Sequence, residues 1–220
     1  SYGQNLNLPS GAGDDEVAQY QIRYLPDGDS AVMMSSTIGE EFRNRLRSQF
    51  GIRLYTLNPR PLEEVCSQLF KNANLTVAVA ESCTAGLITA RLSAVRGSSA
   101  YLMAGFVTYS DQAKSRHLDV ADVILERCGA VSPEVALSMA RNALRNANTD
   151  LAVSVTGIAG PDGGSSEKPV GTVYLAAVSR KGNTLEHKAS YTGSRDRIRL
   201  QASQTALHLL RRLALEYRQP

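Results

Sequence analysis

The chain has no tryptophan, only three cysteines and only three histidines among its 220 residues. Cys66, Cys83 and Cys128 show no metal-ligand spacing and cannot all pair with one another, a usage that fits a reducing cytoplasm rather than a disulfide scaffold. His117, His187 and His208 are scattered, with no cysteine near them in sequence. A histidine-based metal site or a Ser-His-Asp triad is therefore not expected, and all three read as solvated surface residues. No apolar run approaches the roughly 20 residues needed to span a bilayer. The segment Ser1-Tyr2-Gly3-Gln4-Asn5 lacks a basic region followed by an apolar one, so no secretory signal is expected. The formal charge is only +3 and is not gathered into basic runs. No feature of that charge points to nucleic acid. With 43% hydrophobic residues the chain can still bury a sizeable core.

Taken in order, residues 1–17 are rich in Gly, Asn, Ser and Asp and read as a disordered tail. Residues 18–57 read as a small α+β module or remnant. Tyr20–Leu25 alternates as a strand, Pro26–Ser30 is a turn, and Ala31–Met34 returns. A charged helix is expected over Glu40–Phe50 and a strand over Ile52–Tyr55. Asn58-Pro-Arg-Pro61 marks the boundary of a larger domain, 58–220. In that domain Leu62, Val65, Leu69 and Phe70 share one helix face. Buried strands are expected at 75–80, 101–109 and 150–156. Helices are expected at 87–95, 111–118 and from Ser132-Pro133 to about Asn146. A strand pair at 170–179 and 184–191 is joined by Lys181-Gly-Asn183. Arg195–Tyr217 closes the chain as a long helix. Helices alternating with strands, one strand pair being a hairpin, predict an α/β layered fold with a mixed sheet.

Four places carry residues suited to chemistry. Ala80-Glu-Ser-Cys-Thr-Ala-Gly86 sits where a strand turns into a helix, so Ser82 could be a nucleophile or the turn could hold an anion. Ser82 or Thr84 as a plain helix cap is the competing reading. Tyr109 and Lys114 flank a second strand–helix turn. A serine hydroxyl needs a neighbour to take its proton, and a lysine of lowered pKa substitutes for the missing histidine. Against this stands a solvated Lys114 with Tyr109 at the edge of the core. Thr156 and Gly157 end a strand and lead into a loop with Gly160, Gly163 and Gly164, whose amides could meet an anion or an oxyanion. The loop has neither Walker nor dinucleotide-fingerprint spacing. Finally, Arg195, Arg197 and Arg199 crowd a helix start against its dipole, as for a bound phosphate or as a solvated cluster paired with Asp196.

The motif at 80–86, Gly105-Phe-Val-Thr-Tyr-Ser110 with Lys114, Val155-Thr-Gly-Ile-Ala-Gly-Pro-Asp-Gly-Gly164 and Lys168-Pro-Val-Gly-Thr-Val173 together resemble the CinA C-terminal domain family over about 60–217. Its enzymatic members are nicotinamide-nucleotide amidohydrolases. The resemblance implies an α/β/α layered fold, and hydrolysis of nicotinamide mononucleotide (NMN) to nicotinate mononucleotide and ammonia without metal or cofactor. It implies Ser82 as nucleophile and Lys114 as base with Tyr109 beside it. Substrate contacts then fall on Thr84, Thr156, Gly157, Gly160, Gly163 and Gly164, with Arg195 on the phosphate and Arg199 as a second. It further implies a homodimer, while cysteine usage and composition lead us to expect a cytoplasmic protein with no membrane or clear nucleic-acid partner. Ala85 stands where many members have a glycine, a change expected to be tolerated unless a positive φ is needed there. Residues 18–57 are similar to the end of the module that links an upstream pyrophosphatase-like domain in long CinA proteins. Attack by Cys83, action on a different pyridine or nucleotide amide, and a non-catalytic nucleotide-binding or regulatory module are the competing functions.

Overall fold

The computed structural model describes residues 21–24, 31–34 and 60–217. The chain divides into two compact units, Ser1–Pro61 and Leu62–Pro220. In the first unit β1 (Gln21–Tyr24) pairs antiparallel with β2 (Ala31–Met34), Gln21 opposite Met34 and Tyr24 opposite Ala31. The helix expected at 40–50, the strand at 52–55 and the tail of 1–17 lie outside the described residues.

The second unit runs α1 (Leu62–Ala73), β3 (Val77–Glu81), α2 (Leu87–Ser93), a 3₁₀ turn, β4 (Leu102–Val107), α3 (Asp111–Leu118), α4 (Asp122–Cys128), α5 (Pro133–Ala147), β5 (Leu151–Gly157), β6 (Thr172–Ser179), β7 (Thr184–Ser190) and α6 (Arg195–Tyr217). The strands form one mixed sheet in the order β4-β3-β5-β6-β7. The first three are parallel, and β6 and β7 add antiparallel. α5 covers one face of the sheet, and α6 covers the other together with α1 and α2. The result is an α/β/α sandwich.

β3 and β5 are buried on both sides, which is why they read as continuous apolar runs rather than alternating ones. Ala78 and Ala80 of β3 pack against Val135, Ala136, Met139 and Ala140 of α5. The small residues let helix and sheet approach closely. Val77, Val79 and Glu81 therefore point to the α6 side. Ser132 caps α5 by accepting from the Val135 N–H at 3.3 Å, as Ser-Pro spacing predicts. β3 begins two residues later than expected because the amides of Leu75 and Thr76 are taken by Phe70 O and the Asp150 carboxylate. α4 was not expected. Its seven residues are too few for periodicity to show.

Candidate active site

β3 delivers its last residue, Glu81, fully buried beneath the turn that carries Ser82. The Ser82 amide donates to Val155 O at 2.9 Å, extending the β3–β5 ladder by one residue and fixing the start of the turn. Ala85 and Gly86 then take left-handed conformations, φ 49° and 90°. The chain does require a positive φ at 85, and the alanine meets that requirement at a conformational cost. α2 starts after Gly86, too far along for either hydroxyl to cap it. The capping reading of Ser82 and Thr84 is thus overturned. Glu81 takes that place: its carboxylate accepts from Ile88 N (3.1 Å), Thr89 N (2.9 Å) and Thr89 Oγ1 (2.8 Å). The positive end of α2 is already neutralised from within the fold, so it is not an anion site.

Lys114 overturns its reading as a solvated residue, for only 1% of it is exposed. Ser110 caps α3, and the first turn of that helix folds the lysine back inward. Its Nζ donates to Tyr109 O at 3.3 Å and lies 3.5 Å from Asp111 Oδ1. Burial pushes the Lys114 ammonium below the usual lysine range, and the nearby Asp111 charge partly restores it. Tyr109 is 56% exposed rather than a core-edge residue, and its phenol accepts from Arg195 Nη2 at 2.8 Å. Arg195 Nη1 donates to Gly160 O at 2.7 Å, tying the glycine loop to the start of α6. Thr156, buried at the end of β5, donates its hydroxyl to Ala130 O at 2.7 Å.

Ser82, Tyr109, Lys114, Thr156, Gly157 and Arg195 line one cleft of about 180 Å³. Cys83, Asp111, Ala130, Val131 and Ala159 complete its walls. Thr84, Gly160, Gly163, Gly164 and Arg199 are not in the lining. Gly160 backs the cleft through Arg195. Arg199 donates to Thr84 O at 2.9 Å from behind the serine turn and pairs with Asp196 at 3.5 Å. Among the described residues the buried Thr84 hydroxyl has no partner. Among the described residues Ser82 Oγ and Lys114 Nζ share no hydrogen bond, and the N–H groups of Cys83 and Thr84 donate to no backbone carbonyl. Burial pushes the Cys83 thiol up to about 12, so its thiolate is scarce at neutral pH.

The expectations missed Asp111, which an i, i+3 spacing to Lys114 could have flagged. They missed the Ala130–Val131 wall, which carries no chemical signature. His208 is corrected too. It is half-buried in α6, and burial beside Arg211 and Arg91 lowers its pKa to about 4. Among the described residues no three His, Cys, Asp or Glu gather as a metal site, and no helix is long and apolar enough to cross a membrane.

Fold and site together define an α/β sandwich with a serine turn and a buried lysine opening on one cleft at the carboxyl ends of parallel strands. The model of the CinA C-terminal domain matches residues 59–214, and the chain belongs to that family. A CinA-like protein of Citrifermentans bemidjiense is 47% identical over 176 residues, covering 80% of this chain and 42% of the relative. A CinA-like protein of Geobacter sulfurreducens is 47% identical over 170 residues, 77% and 41% of the two chains. The chain thus spans less than half the length of these relatives. The crystal structure of the competence/damage inducible protein CihA from Agrobacterium tumefaciens superposes with a TM-score of 0.68 at 46% identity, over 72% of this chain and 98% of that one. A CinA superfamily protein from Escherichia coli gives 0.66 at 36%, over 69% and 88%.

Proposed function

We propose that this domain hydrolyses the carboxamide of NMN, releasing ammonia and nicotinate mononucleotide, as a cytoplasmic homodimeric enzyme of pyridine nucleotide recycling. The observation that carries the reading is the buried amine of Lys114 lining the same cleft as Ser82. A lysine whose charged form is penalised can take a proton from a hydroxyl near neutral pH. Ser82 Oγ attacks the amide carbon as its proton passes to Lys114 Nζ, directly after a side-chain rotation or through one water. The oxyanion is received by the N–H groups of Cys83 and Thr84, which among the described residues go to no backbone carbonyl, with Thr156 and Gly157 flanking the amide. When the C–N bond breaks, Lys114 returns the proton to the leaving nitrogen and ammonia departs. Water then attacks the acyl-serine with Lys114 again as base, giving the nicotinate and free Ser82. Arg195, oriented by Tyr109 and Gly160, has donors left for the phosphate.

Incubation with NMN, nicotinamide and nicotinamide riboside, followed by ammonia assay and product chromatography, tests this. Turnover of NMN alone is expected. A second reading, a non-catalytic nucleotide-binding module, draws on the Lys114–Asp111 contact, which favours a retained proton. Calorimetric binding of NMN with no ammonia released would establish that reading and refute the first.

A further inference from the structure

The cleft contains one charged side chain that the proposed reaction leaves unused. Asp111 occupies the first turn of α3, where a carboxylate is favoured by the helix dipole, and is 60% exposed on its side chain. Its Oδ1 lies 3.5 Å from Lys114 Nζ, and it lines the cleft alongside Ser82. Among the described residues the amine has two acceptors, Tyr109 O and Asp111 Oδ1. Only Asp111 brings a charge.

A buried lysine with no counter-charge makes a ready proton acceptor but a poor proton holder. Amide hydrolysis asks for both, because the proton taken from the nucleophile must be kept until the nitrogen leaves. An aspartate beside the base meets that need, as it does for the imidazole of a Ser-His-Asp triad. Resting on the amidase reading above, we propose that Asp111 is a positioning residue: it orients the Lys114 amine and steadies its protonated form between the two halves of the reaction. The other groups around the amine do not substitute for it. Cys83 stays neutral, and Arg195 is turned toward Tyr109 and Gly160. On the α5 side, Arg145 and Asn142 engage Asp119 at the far end of α3.

The test compares the wild-type chain with Asp111→Asn, which keeps an oxygen acceptor and removes the charge, and with Asp111→Ala, which removes both. Lysine Cε and Nζ signals are followed by NMR across pH, the Lys114 signal being assigned by its loss in Lys114→Arg. In Asp111→Asn the Lys114 midpoint should move to lower pH, and the acid limb of kcat/KM for NMN should move with it. The weaker base should also lower kcat by roughly tenfold while KM holds. Asp111→Ala should lose more in kcat than Asp111→Asn, since orientation goes as well. An unmoved or raised Lys114 midpoint in Asp111→Asn would overturn the proposal, as would equal kcat in all three chains. A wild-type chain inert toward NMN would defeat the amidase reading instead, while the NMR midpoints would still decide the part Asp111 plays.

Discussion

Replacing Glu81 by glutamine tests whether a buried carboxylate, rather than a hydroxyl, anchors the serine turn. The wild-type group accepts three hydrogen bonds, one on Oε2 and two on Oε1. A glutamine amide can keep both Oε1 bonds only by presenting its NH₂ group to the Ile88 N–H, donor against donor. The Ile88 bond is lost, and the two that survive lose their charge assistance. A hydrogen bond to a charged group contributes about 1.5–3 kcal/mol and a neutral one about 0.5–1.5 kcal/mol. The gross loss is thus roughly 3.5–6 kcal/mol, partly offset because a buried charge no longer has to be desolvated. A net destabilisation of roughly 2–3 kcal/mol follows, and in a domain of this size that lowers Tm by roughly 5–10 °C. Thermal unfolding followed by circular dichroism reads it directly. Since Glu81 immediately precedes Ser82, kcat for NMN should fall as well, by at least roughly tenfold for a nucleophile displaced by a fraction of an ångström. A Tm within about 1 °C of wild type would refute the reasoning, because it would mean that the turn is held by something else.

Lys114→Met should abolish NMN turnover, a loss of about a hundredfold or more, and yet raise Tm at neutral pH. The folded state disfavours the ammonium, so the native chain binds fewer protons than the unfolded chain between the lowered Lys114 pKa and the ordinary lysine value of 10.5. Wild-type stability should therefore gain from this group as pH rises through that window, and unfolding of the methionine variant measured across pH should lack the gain. Ala85→Gly should relieve the left-handed strain and stabilise by roughly 1 kcal/mol, the left-handed cost of an alanine less the extra unfolded-state entropy of glycine, read as a higher urea midpoint with unchanged slope. Ser82→Ala should end ammonia release while Cys83→Ala keeps it, since a thiol pushed up to about 12 is a poor source of thiolate. The reverse pattern would move the nucleophile to Cys83.

The layers were legible in the residue pattern. The runs at 75–80 and 150–156 suited buried strands, and Ser132-Pro133 set the start of α5 through backbone chemistry local to a few residues. The 60–217 resemblance likewise rested on residue identity. Side chains that meet across the sheet depend on the folded chain instead. His208 reads as a surface residue and Lys114 stays open between a base of lowered pKa and a solvated residue, because a charged or polar letter carries no record of the walls that will enclose it. Glu81 as the cap of α2 depended on two left-handed residues that push the helix start beyond reach of Ser82 and Thr84. The convergence of Ser82, Lys114, Thr156 and Arg195 on one cleft came from β3, α3, β5 and α6 meeting at the carboxyl ends of the parallel strands. Strand pairing and helix packing between segments distant in the chain fix that meeting, and no local pattern encodes it.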